Sequence, residues 1–440
     1  MTRHKHFKQL VRARMEKTGE RYAAARRHVL ASQPAAAAAP FFAGSVPATT
    51  ALRSVLASRG MKDPATDQPF SEAMLFGLAG GVGIGVFSFL YEKADFASFF
   101  VGGRHLWHDD EAYLKTALGR LSISTDIRET GSAKAAERDL RELLERGPCI
   151  AWVDQGLLPH RAVGNEMAGG GYYVVTVHEL DADGNAVIGD LADRPIAVRA
   201  DDLQAARGRI KKYRHRLLSI AETPKTSDVA VAFASGLGAC HDGLLGEGAV
   251  EKSRRNFTLN ALDDWAKDLV GTGAKSWSHR FPRGHRLWAG LTMLYEFVEL
   301  AGTGGGLCRS LFADGLDEAA SRTGEDHLAD LASGYRALGE AWSELAVAAL
   351  PGREGPLANA RELMTERAEL RASAPDEIGR INAIGQELER IAAESARAFP
   401  LDESRCADLR QELSTRLDAI LSEEVRLHQM MAAFAGREAA

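Results

Sequence analysis

The chain has 440 residues, 45% of them hydrophobic and 26% charged, with a formal net charge of −6. That balance excludes a disordered chain or a fibrous repeat, and a mildly acidic total argues against a protein whose main business is coating nucleic acid. The length suits two or three domains, each able to bury a core.

Charge is unevenly spread: residues 1–30 carry nine Lys/Arg and two Asp/Glu. Phe7 to Leu30 reads as one basic helix, with Phe7, Leu10, Val11, Met15 and Tyr22 near helical spacing. It reads either as a docking or nucleic-acid arm or as a solvated helix packed on its own protein. The run Ala35–Ala39 between Pro34 and Pro40 is a linker. No apolar h-region opens the chain, and no stretch of about 18 uncharged apolar residues follows. The expectation is therefore a cytoplasmic protein with no membrane segment. The nearest approach to a span, Ala73 to Tyr91, contains five glycines and reads as a buried Gly-rich turn.

From Phe41 to about Ile220 the pattern is mixed. Thr49–Arg59 begins as a helix with Leu52, Val55 and Leu56 on one side, and Glu137–Arg146 is a charged helix with Leu140, Leu143 and Leu144. Short apolar runs follow at Cys149–Val153, Tyr172–Val177 and Ala186–Ile188. The turn at Asp181–Gly184 makes the last two a hairpin. Helices first and antiparallel strands later predict an α+β fold rather than a doubly wound sheet. From Ser227 onward the signal is helical. Trp265, Leu269, Leu291, Leu294 and Phe297 fit apolar faces. Ile378, Ile381, Ile384, Leu388 and Ile391 form one stripe, Pro400 breaks it, and Leu409, Leu413, Leu417, Ile420 and Leu427 form the next. The two stripes predict an αα-hairpin, either a dimerising coiled coil or a pair packed on its own domain. The expected divisions are an arm at 1–33, a linker at 34–40, a mixed domain at 41–222, a helical domain at 223–350 and a helical hairpin at 351–440.

Chemistry is sparse. The run Gly77 to Gly85 contains Gly81-Val-Gly83, but Val86 stands where a dinucleotide fingerprint needs its third glycine, and no Walker Lys-Ser/Thr follows. A tight turn fits better than a nucleotide site. A second run, Gly302 to Gly306, precedes Arg309; its amides could reach an anion, or it could be an interhelical turn with Arg309 paired to an acid of the next helix. Gly81, Gly83, Gly305 and Arg309 are the candidate ligand-binding positions. His105 and His108 are spaced i, i+3 with no supporting zinc signature, so no metal is expected, and no cofactor. The cysteines Cys149, Cys240, Cys308 and Cys406 form no CxxC pair, which suits a reduced protein. Cys149 reads as a core thiol, and Cys308, beside Arg309, as one whose pKa the cation would lower.

Several phrases carry a resemblance. Thr49 to Arg53, Ser71 to Gly85 and Val101 to Arg104 resemble the N-terminal domain of the BtrH family, acyltransferases of butirosin biosynthesis. Trp265, Trp277, Phe281-Pro282, Gly302–Gly306, Arg309, Ala313-Asp314 and Asp317–Ala319 are similar to the uncharacterised helical domain commonly joined to it. The resemblance spans about Phe41 to Leu350. It implies a papain-like fold with a central antiparallel sheet, a Cys-His-Asp site, and transfer of an acyl chain from an acyl carrier protein to an amine.

At the implied positions this chain departs from the family. Val46 and Pro47 stand where the family has a His-Cys pair, Tyr173 where it has the histidine, and Asp190 keeps the acid. Proline offers neither a nucleophile nor a backbone N–H, and a phenol with a pKa near 10 is a poor base at neutral pH. The implied function is a degenerate relative in specialised-metabolite or peptide-modification metabolism that binds an acyl, peptide or amine ligand without covalent catalysis. The alternative is amide formation by proximity between a carrier thioester and an amine. Pro47, Tyr173 and Asp190 are expected to wall one cleft, with His178 facing away from it.

Overall fold

The computed structural model describes residue 17 and residues 40–103, 110–163, 169–221, 228–353 and 355–434. Nearly all of the expected basic arm and linker, with His105 and His108, lies outside the described residues. Met1–Pro40 and Phe41–Ala440 form separate units, and the account below concerns the second.

The unit opens with helix α1 (Pro47–Ser58) and helix α2 (Glu72–Leu78). Pro47 is tolerated at the first helical position, where an amide would have no intrahelical acceptor. Two strands follow, β1 (Gly85–Tyr91) and β2 (Phe96–Gly102), which pair with each other in a two-stranded ribbon. This corrects the reading of Ala73–Tyr91 as one glycine-rich turn. Only the stretch between α2 and β1 is a turn, and the alternating Phe87, Phe89 and Tyr91 build a strand whose rings contact one another and Phe96 and Phe100.

Next come helix α3 (Asp110–Arg120), β3 (Thr125–Arg128), helix α4 (Ala133–Leu144), β4 (Cys149–Asp154), β5 (Tyr172–Leu180), β6 (Asn185–Gly189), β7 (Ile196–Arg199), helix α5 (Ala200–Arg209) and β8 (Leu217–Ile220). The six strands from β3 to β8 form one antiparallel sheet in the order β3-β8-β4-β5-β6-β7. The β5–β6 hairpin turns where the Asp-Ala-Asp-Gly signal lies. The Asp181 carboxylate accepts from the amides of Asp183 and Asn185, and Gly184 takes φ +84°.

Alternation along the strands gives the sheet two covered faces. On one, Ile150, Trp152, Val174 and Leu218 pack with α1 in the main core. On the other, Cys149, Ala151, Val153, Val175 and Val177 pack with Leu140 and Leu143 of α4 and Leu203 and Ala206 of α5 in a second core. Antiparallel strands with helices on both faces, followed by an almost wholly helical region, confirm the α+β class.

The helical region runs α6 (Val229–Leu244), α7 (Asn260–Val270), α8 (His285–Tyr295) with a π turn at Glu296–Leu300, α9 (Arg309–Thr323), α10 (Asp326–Ala349), α11 (Pro356–Ser373), α12 (Ile378–Arg397) and α13 (Glu403–Phe434). Both apolar stripes are used inside the chain. Ile381, Ile384 and Ile391 are buried with α12 against α8 and α11, and Leu409, Leu413, Leu417, Ile420 and Leu427 are buried with α13 against α7 and α10. The two helices share a connection but pack chiefly on different partners, where the stripes alone suggest a hairpin. No described helix is long and apolar enough to cross a membrane.

Candidate functional site

The N-terminus of α1 is built as an anion site and is already filled. Glu72, at the first position of α2, accepts from the Ser45 amide at 2.9 and 3.1 Å and from the Val46 amide at 2.7 Å. The Thr49 and Thr50 hydroxyls add bonds of 3.2 and 2.9 Å. A carboxylate is favoured there because the free amides and the helix dipole both point at it. Pro47 sits beside Gly302, where an added Cβ would come within 2.9 Å of the proline Cδ. The glycine run that looked like a loop is thus the surface on which this helix start rests.

Tyr173 and Asp190 meet as a buried polar cluster. The Tyr173 hydroxyl donates to Asp190 Oδ1 at 2.6 Å, and His160 Nε2 lies 2.9 Å from Asp190 Oδ2. Arg161 Nη1 is 3.5 Å from the same oxygen, and its guanidinium lies over the Tyr173 ring at 4.5 Å. Burial pushes the Asp190 carboxyl up, but Arg161, His160 and Tyr173 together hold it below the usual carboxylate range. Burial raises the Tyr173 phenol well above its ordinary value, and Asp190 raises it further against the pull of Arg161. A phenol so placed donates a hydrogen bond and does not act as a base near neutral pH.

One expectation is corrected here. Tyr173 shares a sheet face with Val175 and Val177, as alternation requires, but that face carries the second core with α4 and α5. The helix opened by Pro47 packs on the other face, with Val174 and with Thr176, whose hydroxyl donates to the Ala51 carbonyl at 3.5 Å. Pro47 and Tyr173 therefore do not wall one cleft. His178 does lie off the Tyr173 face, at a bulge between Val177 and Glu179 and under the Phe41 ring at 4.3 Å. Neither of its ring nitrogens has a partner, and burial lowers its pKa to about 4.

The remaining candidates are structural in their surroundings. Arg309 is fully buried and donates to Glu424 of α13 through Nε at 2.9 Å and Nη2 at 2.6 Å, and to the carbonyls of Gly83 and Leu307. It thus meets Gly83 while its charge is matched by an acid near the chain's end rather than on the next helix. Gly81 is held where a Cβ would meet the Phe312 ring, and Gly305 lies beside the Glu299 carboxylate. All four cysteines are free and buried. The expected lowering at Cys308 is corrected: burial pushes its thiol up to about 12, and neighbouring Arg309 does not offset this. Burial sends Cys149 to about 12 as well. No group of three or more metal-ligating side chains occurs among the described residues.

Sequence reasoning missed His160, Arg161 and Glu72. Glu72 lies in a phrase read for its glycines, and the adjacent His160 and Arg161 lie between two strand runs with no motif of their own, so only the fold shows what they face.

The first half of the described unit is thus an antiparallel sheet crossed by a helix whose start is held by the Glu72 carboxylate. The comparisons with known proteins agree. The family model for butirosin biosynthesis protein H, N-terminal, matches residues 47–191, and the model named domain of unknown function (DUF4872) matches residues 201–378. The first region is thus a BtrH N-terminal domain and the second the domain attached to it. No curated protein matches it. The family points to acyltransferase-like ancestry in biosynthesis.

Proposed function

We propose that this chain is a BtrH-like protein whose family nucleophile position holds Pro47, with the Tyr173–Asp190 pair on the other sheet face, and that it binds an acyl, peptide or amine ligand without a covalent intermediate. The observation that carries this reading is Glu72. Its carboxylate accepts from the Ser45 and Val46 amides, which are the donors an acyl oxyanion would need at this helix start. A negative charge there repels both a thiolate and a developing oxyanion. The neighbouring chemistry gives no substitute, because the described thiols are buried and a nucleophile needs a base within reach.

The test is to mix the protein with an acyl-pantetheine thioester and an amine, following binding by calorimetry and thiol release by absorbance. Binding without protein-dependent thiol release is expected. Stoichiometric thiol release would overturn the reading.

One observation favours the second reading, amide formation by proximity. His160 is buried against Asp190 and its Nδ1 has no partner, the pattern of an oriented proton acceptor. Holding two reactants together can lower a barrier by about 7–11 kcal/mol. Amide product that forms with no acyl-enzyme and is lost in His160→Gln would establish this route instead.

A further inference from the structure

Four arginines of the described residues are less than 10% exposed: Arg161, Arg207, Arg309 and Arg371. Burying a guanidinium costs several kcal/mol unless charges and acceptors around it compensate. Three of the four are compensated. Arg309 has the Glu424 carboxylate. Arg207 donates to Gln204 and to the carbonyls of Ala136 and His215. Arg161 has Asp190 and the Gln155 side chain.

Arg371, in the last turn of α11 and 5% exposed, differs. It donates to a single carbonyl, that of Ala162, at 3.2 Å. No carboxylate of the described residues lies within 4.0 Å of it, and its Nε is buried without a partner, as are those of Arg161 and Arg207; Arg207, however, donates to three acceptors and Arg371 to one. The charges nearest to it repel as well as attract. Burial pushes its pKa down to about 9, Arg161 and Arg367 push the same way, and only Glu296 and Tyr173 oppose. Glu296 is shared, since Arg367 Nη2 lies 3.9 Å from its carboxylate. Arg161, Arg367 and Arg371 thus face Asp190 and Glu296, an excess of one positive charge.

We infer that Arg371 and Arg161 form an anion-binding site that takes a singly charged oxyanion group of a ligand, a carboxylate or a phosphodiester. Guanidinium groups present paired donors that match such oxygens, and the two unpartnered Nε groups of this pair are the donors left for it. Arg161 belongs to the first matched region and Arg371 to the second, so one anion would be held by both. That gives the attached domain a role, supplying half of a binding site. Ala162, whose carbonyl Arg371 reaches, is also one of the residues lining a cavity of about 280 Å³ with Leu158, Pro159 and Val163. The inference goes beyond the proposed function and stands apart from it, because the anion would bind whether or not any acyl group is transferred.

The experiment is thermal unfolding of the full chain in chloride, with propionate or dimethyl phosphate added at matched ionic strength. A ligand that binds only the folded state raises the melting temperature saturably. A saturable rise of roughly 3 °C or more is expected with one of the two anions, and the anion that gives it distinguishes carboxylate from phosphodiester. Arg371→Met should weaken that binding at least about tenfold, yet melt no lower than the parent in chloride, since it removes an uncompensated buried charge. No saturable rise with either anion, or an equal rise in Arg371→Met, would overturn the inference. So would a lower melting temperature of the variant in chloride with no anion effect in the parent, the signature of a purely structural arginine.

Discussion

Glu72 organises the start of α1. It satisfies two backbone amides and two hydroxyls with one carboxylate. Thr49 and Thr50 also donate to the Val46 carbonyl, so removing the acid strands chiefly the two amides. Glu72→Ala should cost about 3 kcal/mol, read as a lower urea midpoint at unchanged slope, and Glu72→Gln distinctly less because one acceptor oxygen remains. A loss below about 0.5 kcal/mol for the alanine variant would mean that the carboxylate does not organise this turn.

His178 makes a second prediction at this scale. Its folded pKa, about 4, lies below the ordinary histidine value of 6.5, so the unfolded chain binds more protons between those limits. Its contribution is complete above pH 6.5 and is lost as pH falls toward 4, at up to about 1.4 kcal/mol per pH unit. His178→Leu should flatten the acid side of the stability profile over that window. An unchanged slope would show that the imidazole is already solvated.

Among elements, the last helix is the one whose role most exceeds its pattern. Its Glu424 accepts from Arg309 of α9 and from Trp342 Nε1 of α10, at 3.0 Å for the latter. Glu424→Ala leaves a buried guanidinium unpaired and should cost about 3–5 kcal/mol, whereas Arg309→Met combined with Glu424→Leu should recover most of it. Equal losses in the single and double variants, measured by denaturant unfolding, would contradict the pairing.

The legibility of the elements follows from the range of the signal. The β5–β6 hairpin, α12 and α13 were readable because turn chemistry and apolar stripes are local. The β1–β2 ribbon was not, because glycines at one end masked the alternation of Phe87, Phe89 and Tyr91. The candidate site was legible only in part. The Tyr173–Asp190 hydrogen bond follows from strand neighbours, but the face carrying Tyr173 depends on which helices cover the sheet. Arg309 with Glu424, and Arg161 with Arg371, join positions far apart in the chain, and no local pattern announces such pairs.

At the scale of the whole molecule, residues 41–440 form one unit, and the proposed function puts Pro47 at the family's nucleophile position. An acid fills the anion site at α1, and Arg371 stands uncompensated beside Arg161, one in each matched region. The central claim is that no covalent acyl-enzyme forms. It is tested most directly by intact-protein mass after exposure of the native chain to an excess of acyl-pantetheine thioester, quenched in acid. The account predicts the unmodified mass at every time point. A stoichiometric acyl adduct that forms on the folded protein and disappears when an amine is added would contradict it.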